Sequence, residues 1–128
     1  PLPPLPECHV VLCKPHFPVS TPELFGRIDS MKLRCRPDTA GMLEALKRQD
    51  LEGVARRLYN VFEDALPARP RTRVQEIKST LIQCGALGAS MSGTGPTVFG
   101  LFHREDRARE ADAQLREYNR ETFLAQTV

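Results

Sequence analysis

Ala86-Leu87-Gly88-Ala89-Ser90-Met91, then Ser92-Gly93-Thr94-Gly95-Pro96, then Thr97-Val98-Phe99-Gly100-Leu101-Phe102 run on without a break. The outer two stretches are of strand length, and the second is rich in β-branched and aromatic residues. The five residues between them are turn-formers. Strands separated by so few residues pair as an antiparallel hairpin, and this hairpin decides the fold. Immediately upstream, Gly85 is placed to cap a helix over about Val74 to Cys84, in which Val74, Ile77, Leu81 and Ile82 recur at helical spacing. Downstream, Asp106 is expected to cap a helix to about Tyr118, and Thr122 to Val128 reads as a last strand.

Further upstream, Asp50 opens a helix carrying Leu51, Val54, Ala55, Leu58, Val61, Phe62 and Leu66, ended by Pro67 and Pro70. Asp38 is placed to cap a shorter helix through Lys47, with Met42, Leu43 and Leu46 apolar. Residues 30–37 read as loop. Ser20-Thr21-Pro22-Glu23 is a helix start resembling a capping box, with the helix running to about Asp29. Cys8 to Cys13 reads as a strand, and Pro1 to Pro6 as an extended linker from a lobe further upstream. The order is strand, helices, strand, strand, helix, strand. That is the split β-α-β plan of an α+β, ferredoxin-like sandwich: an antiparallel sheet with helices, and extra helices in the first crossover. Residues 7–128 are then one domain. No internal repeat interrupts this plan.

The chain of 128 residues is 41% hydrophobic and 27% charged, and long enough to bury a core without disulfide staples. Its net charge of +2 arises from mixed signs, as in Arg104-Glu105-Asp106-Arg107, which argues against a nucleic-acid footprint. The small basic cluster Arg69-Pro70-Arg71-Thr72-Arg73 reads as a solvated loop between helices. Cys8, Cys13, Cys35 and Cys84 lack the spacing of metal ligands and read as reduced, mostly buried small hydrophobes in a cytosol-like compartment. No apolar run approaches the ~20 residues of a membrane span, and no signal peptide is visible. The chain begins at Pro1 without Met, as a fragment or processed product would.

The chemistry is expected at Ser92 to Pro96. Glycines let a backbone approach a ligand closely, and successive N–H groups beside hydroxyls make a concavity suited to phosphate. A tight hairpin turn needs the same glycines, and on the residues alone both readings stand. The loop is no Walker motif, since no Lys follows its glycines, and no nucleophile elbow, since neither Ser90 nor Ser92 is flanked by the required glycines. His9, His16 and His103 share no metal-like spacing, and the carboxylates read as solvated on helix faces. No metal site and no catalytic base is assigned. Thr21 and Phe25 share a helix face near a helix start; capping and core packing are their ordinary roles.

Gly85-Ala86-Leu87-Gly88-Ala89-Ser90-Met91-Ser92-Gly93-Thr94-Gly95-Pro96-Thr97-Val98-Phe99 resembles the third motif of the GHMP kinases, the family of galactokinase, homoserine kinase and mevalonate kinase. Val11 to Phe25, with Lys14-Pro15 and Ser20-Thr21, and Leu58-Tyr59-Asn60-Val61-Phe62-Glu63 are similar to one branch of that family. That branch phosphorylates the 2-hydroxyl of a cytidine-diphosphate substrate, 4-diphosphocytidyl-2-C-methyl-D-erythritol, with ATP and Mg in non-mevalonate isoprenoid biosynthesis. The resemblance implies a C-terminal, substrate-side lobe and a cytoplasmic or plastid-stromal protein. It also implies that Ser92, Gly93, Thr94 and Gly95 border the transferred phosphate, that Thr21 approaches the substrate, and that Phe25 stacks on its cytosine. The family's ATP-binding loop, Pro-x-x-x-Gly-Leu-Gly-x-Ser-Ser, and its catalytic Asp and Lys belong to an N-terminal lobe that this sequence does not contain. The chain alone is therefore expected to lack kinase activity. Homoserine kinase and a free-standing ferredoxin-like binding module are the alternative readings.

Overall fold

Along the central hairpin strand, Val98, Gly100 and Phe102 alternate with Phe99 and Leu101, so one strand feeds two cores. The computed structural model describes residues 7–16, 22–23, 26, 39–92 and 96–126. Its elements run β1 (His9–Lys14), α1 (Thr39–Lys47), α2 (Leu51–Arg56), α3 (Val61–Ala65), α4 (Ala68–Gln83), β2 (Gly88–Met91), β3 (Val98–Phe102), α5 (Glu105–Arg116) and β4 (Glu121–Gln126). The described strands form one four-stranded sheet in the order β2-β3-β1-β4, every neighbouring pair antiparallel. This is the expected split β-α-β sandwich, with helices accumulated in the first crossover.

On one face, Val11, Cys13, Val98 and Phe102 pack against Val74, Ile77 and Leu81 of α4 and Ala108, Ala111 and Leu115 of α5. Burying the fully enclosed Phe102 ring alone contributes roughly 1.5–3 kcal/mol. On the other face, Leu101, Val10 and Phe99 meet Ala45 of α1 and Leu51, Val54 and Ala55 of α2. Gly88 lets α2 sit directly on β2, since a Cβ there would lie 2.8 Å from the Ala55 carbonyl carbon. Gly85, at φ +106, ends α4 as expected. Its N–H reaches the Ile82 carbonyl at 3.0 Å while the Ala86 N–H reaches that of Leu81 at 3.0 Å, the double closure of a Schellman turn.

Three expectations are corrected. The single helix expected from Asp50 to Leu66 is two. Asp50 does cap the first, its carboxylate accepting from the Gly53 N–H at 3.1 Å. The chain then leaves the helix after Arg56, and Asn60 caps α3 by accepting from the Phe62 N–H at 3.0 Å. The break has a packing cause: Leu51, Val54 and Ala55 serve one sheet face, whereas Phe62, Ala65 and Leu66 serve the other. One straight helix presents a single apolar stripe and cannot do both. Second, the basic cluster from Arg69 to Arg73 is no loop but the first turns of α4, with Pro67 as N-cap and Pro70 in the first turn. There a missing N–H costs no helix bond, so Pro67 and Pro70 start a helix instead of ending one. Third, α5 begins at Glu105 with Arg104 as N-cap. Asp106 does not cap it, because it is already the second residue of the helix; its oxygens accept from the Arg104 guanidinium at 3.1 and 2.8 Å.

Around Ser20 the described residues Pro22, Glu23 and Gly26 are helical. The Pro1–Pro6 linker, the 30–37 loop, the Asp38 cap and Cys35 lie outside the described residues. Cys8, Cys13 and Cys84 are buried free thiols, as expected. Burial pushes the Cys13 thiol up, against the opposing pull of its hydrogen bond from Thr122 Oγ1 at 3.7 Å and of the Arg73 charge. No helix among the described residues is long and apolar enough to cross a membrane.

Candidate functional site

β2 is an edge strand, so one side of its backbone has no strand to pair with. At Met91 that outer side is closed by side chains. The Met91 N–H donates to Glu63 Oε2 at 2.8 Å, and the Met91 carbonyl accepts from Asn60 Nδ2 at 2.7 Å. Asn60 and Glu63, both at the start of α3, thus do for Met91 what a neighbouring strand would do. One residue on, the chain is held from the inner side: the Ser92 N–H donates to the Thr97 carbonyl at 2.7 Å. The glycine-rich loop therefore springs from a root gripped on both sides.

Glu63 is the centre of this grip. It is 6% exposed, and besides the Met91 N–H it accepts from Ser90 Oγ at 3.0 Å and from Lys78 Nζ at 2.8 Å. Ser90 is itself buried, its hydroxyl turned inward to the carboxylate. A carboxylate removed from water needs its charge matched and its lone pairs filled, and one ammonium with two neutral donors does both. Lys78 thus balances the charge of Glu63 through an ion pair at 2.8 Å. Among the described residues no buried side-chain nitrogen or oxygen lacks a hydrogen-bond partner.

The expectation that the carboxylates are solvated is thus wrong for Glu63. The signal lay in the Leu58 to Glu63 segment, where Asn60 and Glu63 sit three apart, but spacing could not show what they reach. Of the residues expected to form the site, Ser92 stands at the loop entrance; Gly93, Thr94, Gly95, Thr21 and Phe25 lie outside the described residues. Among the described residues no grouping of three or more His, Cys, Asp or Glu could hold a metal ion.

Comparison with known proteins agrees with this architecture. Residues 42–121 match the family model described as GHMP kinases C terminal. The chain is 41% identical over 120 residues to the 4-diphosphocytidyl-2-C-methyl-D-erythritol kinase of Exiguobacterium sibiricum, covering 93% of this chain and 41% of the relative. It is 38% identical over 118 residues to the kinase of the same name from Alkaliphilus oremlandii, covering 92% of this chain and 40% of the relative. The chain therefore spans about 40% of the length of these curated relatives. A crystal structure of 4-(cytidine 5'-diphospho)-2C-methyl-D-erythritol kinase superposes with a TM-score of 0.73 at 28% identity, over 95% of this chain and 43% of that one. Homoserine kinase from Cytophaga hutchinsonii shares the fold, with a TM-score of 0.64 at 18% identity over 99% of this chain and 43% of that one. With most of its length, residues 42–121, matched by the family model, the chain belongs to the GHMP kinases, whose C-terminal region it carries.

Proposed function

We infer that this chain is the substrate-side lobe of a kinase that phosphorylates the 2-hydroxyl of 4-diphosphocytidyl-2-C-methyl-D-erythritol, a step of non-mevalonate isoprenoid synthesis. In this reading residues 7–128 are the C-terminal domain of a two-lobed enzyme and 1–6 the linker into it. The observation that carries it is the reach of the likeness: the 120 residues aligned with the Exiguobacterium kinase extend well beyond the family domain at 42–121. The likeness is therefore not confined to the glycine motif that all branches of the family share.

The loop Ser92, Gly93, Thr94 and Gly95 forms one wall of the phosphoryl-transfer site and borders the transferred phosphate. Thr21 approaches the substrate and Phe25 stacks on its cytosine. ATP and magnesium take their main contacts, and the reaction its base, from the N-terminal lobe. Phosphoryl transfer depends on positioning and charge neutralisation around the phosphates, so this lobe by itself leaves the reaction without its other wall. A cytoplasmic or plastid-stromal setting goes with this reading.

The test is calorimetric titration of the two-lobed protein with the cytidine-diphosphate substrate, with and without Phe25→Ala. Loss of one base-stacking ring is worth about 1–3 kcal/mol, so Kd rises roughly 5- to 150-fold in the variant. Equal affinity of both proteins removes Phe25 from the site, and binding of homoserine in place of the cytidine compound overturns the substrate assignment. ATP-dependent phosphorylation by the 128-residue chain alone would overturn the assignment of the other wall to a second lobe.

A further inference from the structure

The mechanism just outlined uses the glycine loop but not the buried carboxylate behind it. We propose that Glu63 is a positioning residue for the root of the phosphate-facing loop, holding Ser90 and Met91 so that Ser92 leaves the sheet at one fixed place and angle. This rests on the loop's proposed role at the transferred phosphate.

Three observations carry it. Glu63 ties α3, α4 and β2 together at the loop root, through Met91 N–H at 2.8 Å, Ser90 Oγ at 3.0 Å and Lys78 Nζ at 2.8 Å. Its partner on the same short helix start, Asn60, holds the opposite end of Met91 through the carbonyl at 2.7 Å. The Met91 peptide groups are thereby fixed in position and in orientation. Beyond Met91, the backbone bond from the Ser92 N–H to the Thr97 carbonyl, at 2.7 Å, is the last anchor among the described residues on this side of the glycines. Glycine adds no side chain to restrict a backbone, so the direction in which such a loop starts depends on its root. Loop N–H groups stabilise a developing charge only where they are already aimed at it, and a shift of about 1 Å can cost ~100-fold in rate.

Reach, more than charge, is what this role demands of residue 63, and two substitutions separate the two. Glu63→Gln keeps the length and an oxygen for the Met91 N–H and the Ser90 hydroxyl but gives up the charge and, with an amide nitrogen in place of Oε1, the bond from Lys78. Glu63→Asp keeps the charge but is shorter by one methylene. In the two-lobed enzyme, kcat is measured per folded molecule well below the melting transition, beside KM for the cytidine substrate and amide hydrogen exchange across residues 88–102. Glu63→Asp lowers kcat by ~10- to 100-fold, leaves that KM within about threefold, and speeds exchange at Met91 to Thr97 while Val98 to Phe102 stay protected. Glu63→Gln stays within about fivefold of the parent in kcat. The proposal is overturned if Asp is as active as Gln or more so, if exchange rises evenly through the sheet, or if loop exchange does not change. The exchange reading stands whatever the substrate is: if the parent enzyme phosphorylates no cytidine compound but Glu63→Asp still loosens only the loop, the substrate assignment fails and the positioning role does not.

Discussion

A single methyl group at position 88 should separate two layers of this protein. Gly88 lies buried on β2, and a Cβ built there would stand 2.8 Å from the Ala55 carbonyl carbon and 2.9 Å from the Ala55 Cβ, with the carbonyl oxygen closer still. Ordinary contact between carbon atoms is about 3.5–4.0 Å, so in Gly88→Ala β2 and α2 must part by roughly 1 Å. The obstacle is main chain, which cannot rotate aside as a side-chain tip can. The cost falls toward the upper end of the ~1–3 kcal/mol seen for overpacking. Unfolding entropy near 2.1 cal/mol/K per residue gives about 0.27 kcal/mol/K for 128 residues, so 2–3 kcal/mol lowers Tm by about 7–11 °C. Gly100→Ala is the control. Its Cβ would meet only side-chain atoms of Leu81, Cδ2 at 3.1 Å and Cβ and Cδ1 at 3.3 Å, which must give by a few tenths of an ångström, so its Tm should fall by less than that of Gly88→Ala. Thermal melts followed by circular dichroism read both. A Gly88→Ala variant within 2 °C of the parent, or one more stable than Gly100→Ala, would refute the close approach of α2 to β2.

Other substitutions probe the remaining layers. Phe102→Ala empties the centre of the core between the sheet and α4 and α5 and should cost about 3–5 kcal/mol in urea unfolding; a loss below ~1.5 kcal/mol would mean the ring is not enclosed. Asp50→Ala removes the carboxylate that accepts from the Gly53 N–H at 3.1 Å and should cost about 1 kcal/mol, with Asp50→Asn recovering most of it. The Cys13 thiol is raised chiefly by burial, so the folded state holds its proton more tightly than the unfolded chain. The stability this contributes is fully present below the ordinary thiol range and is lost as pH rises through the raised value. Urea midpoints of the parent should therefore fall more steeply at alkaline pH than those of Cys13→Ala, and matching curves would contradict the burial. Native Cys13 should also resist iodoacetamide at pH ~8 until denaturant is added.

The sequence by itself determined what is local. The hairpin follows from two apolar stretches separated by turn-formers, and the order of elements around it leads to the sheet order β2-β3-β1-β4. Gly85 and Asp50 declared a helix end and a helix start, because each closes its cap within five residues of itself or less. The Leu58 to Glu63 segment and the glycine motif carried the family likeness. Tertiary structure alone decided the rest. Helical periodicity from Leu51 to Leu66 says that these residues face something, but not that the first half faces one side of the sheet and the second half the other. Pro67 and Pro70 read as a stop, and only the packing of α4 against β2 and β3 makes them a start. Glu63 looked like any surface carboxylate because its donors lie 15, 27 and 28 residues along the chain. A buried charge is tolerated only where distant segments bring it partners, so the grip at the root of the glycine loop exists only once the sheet and its helices are assembled.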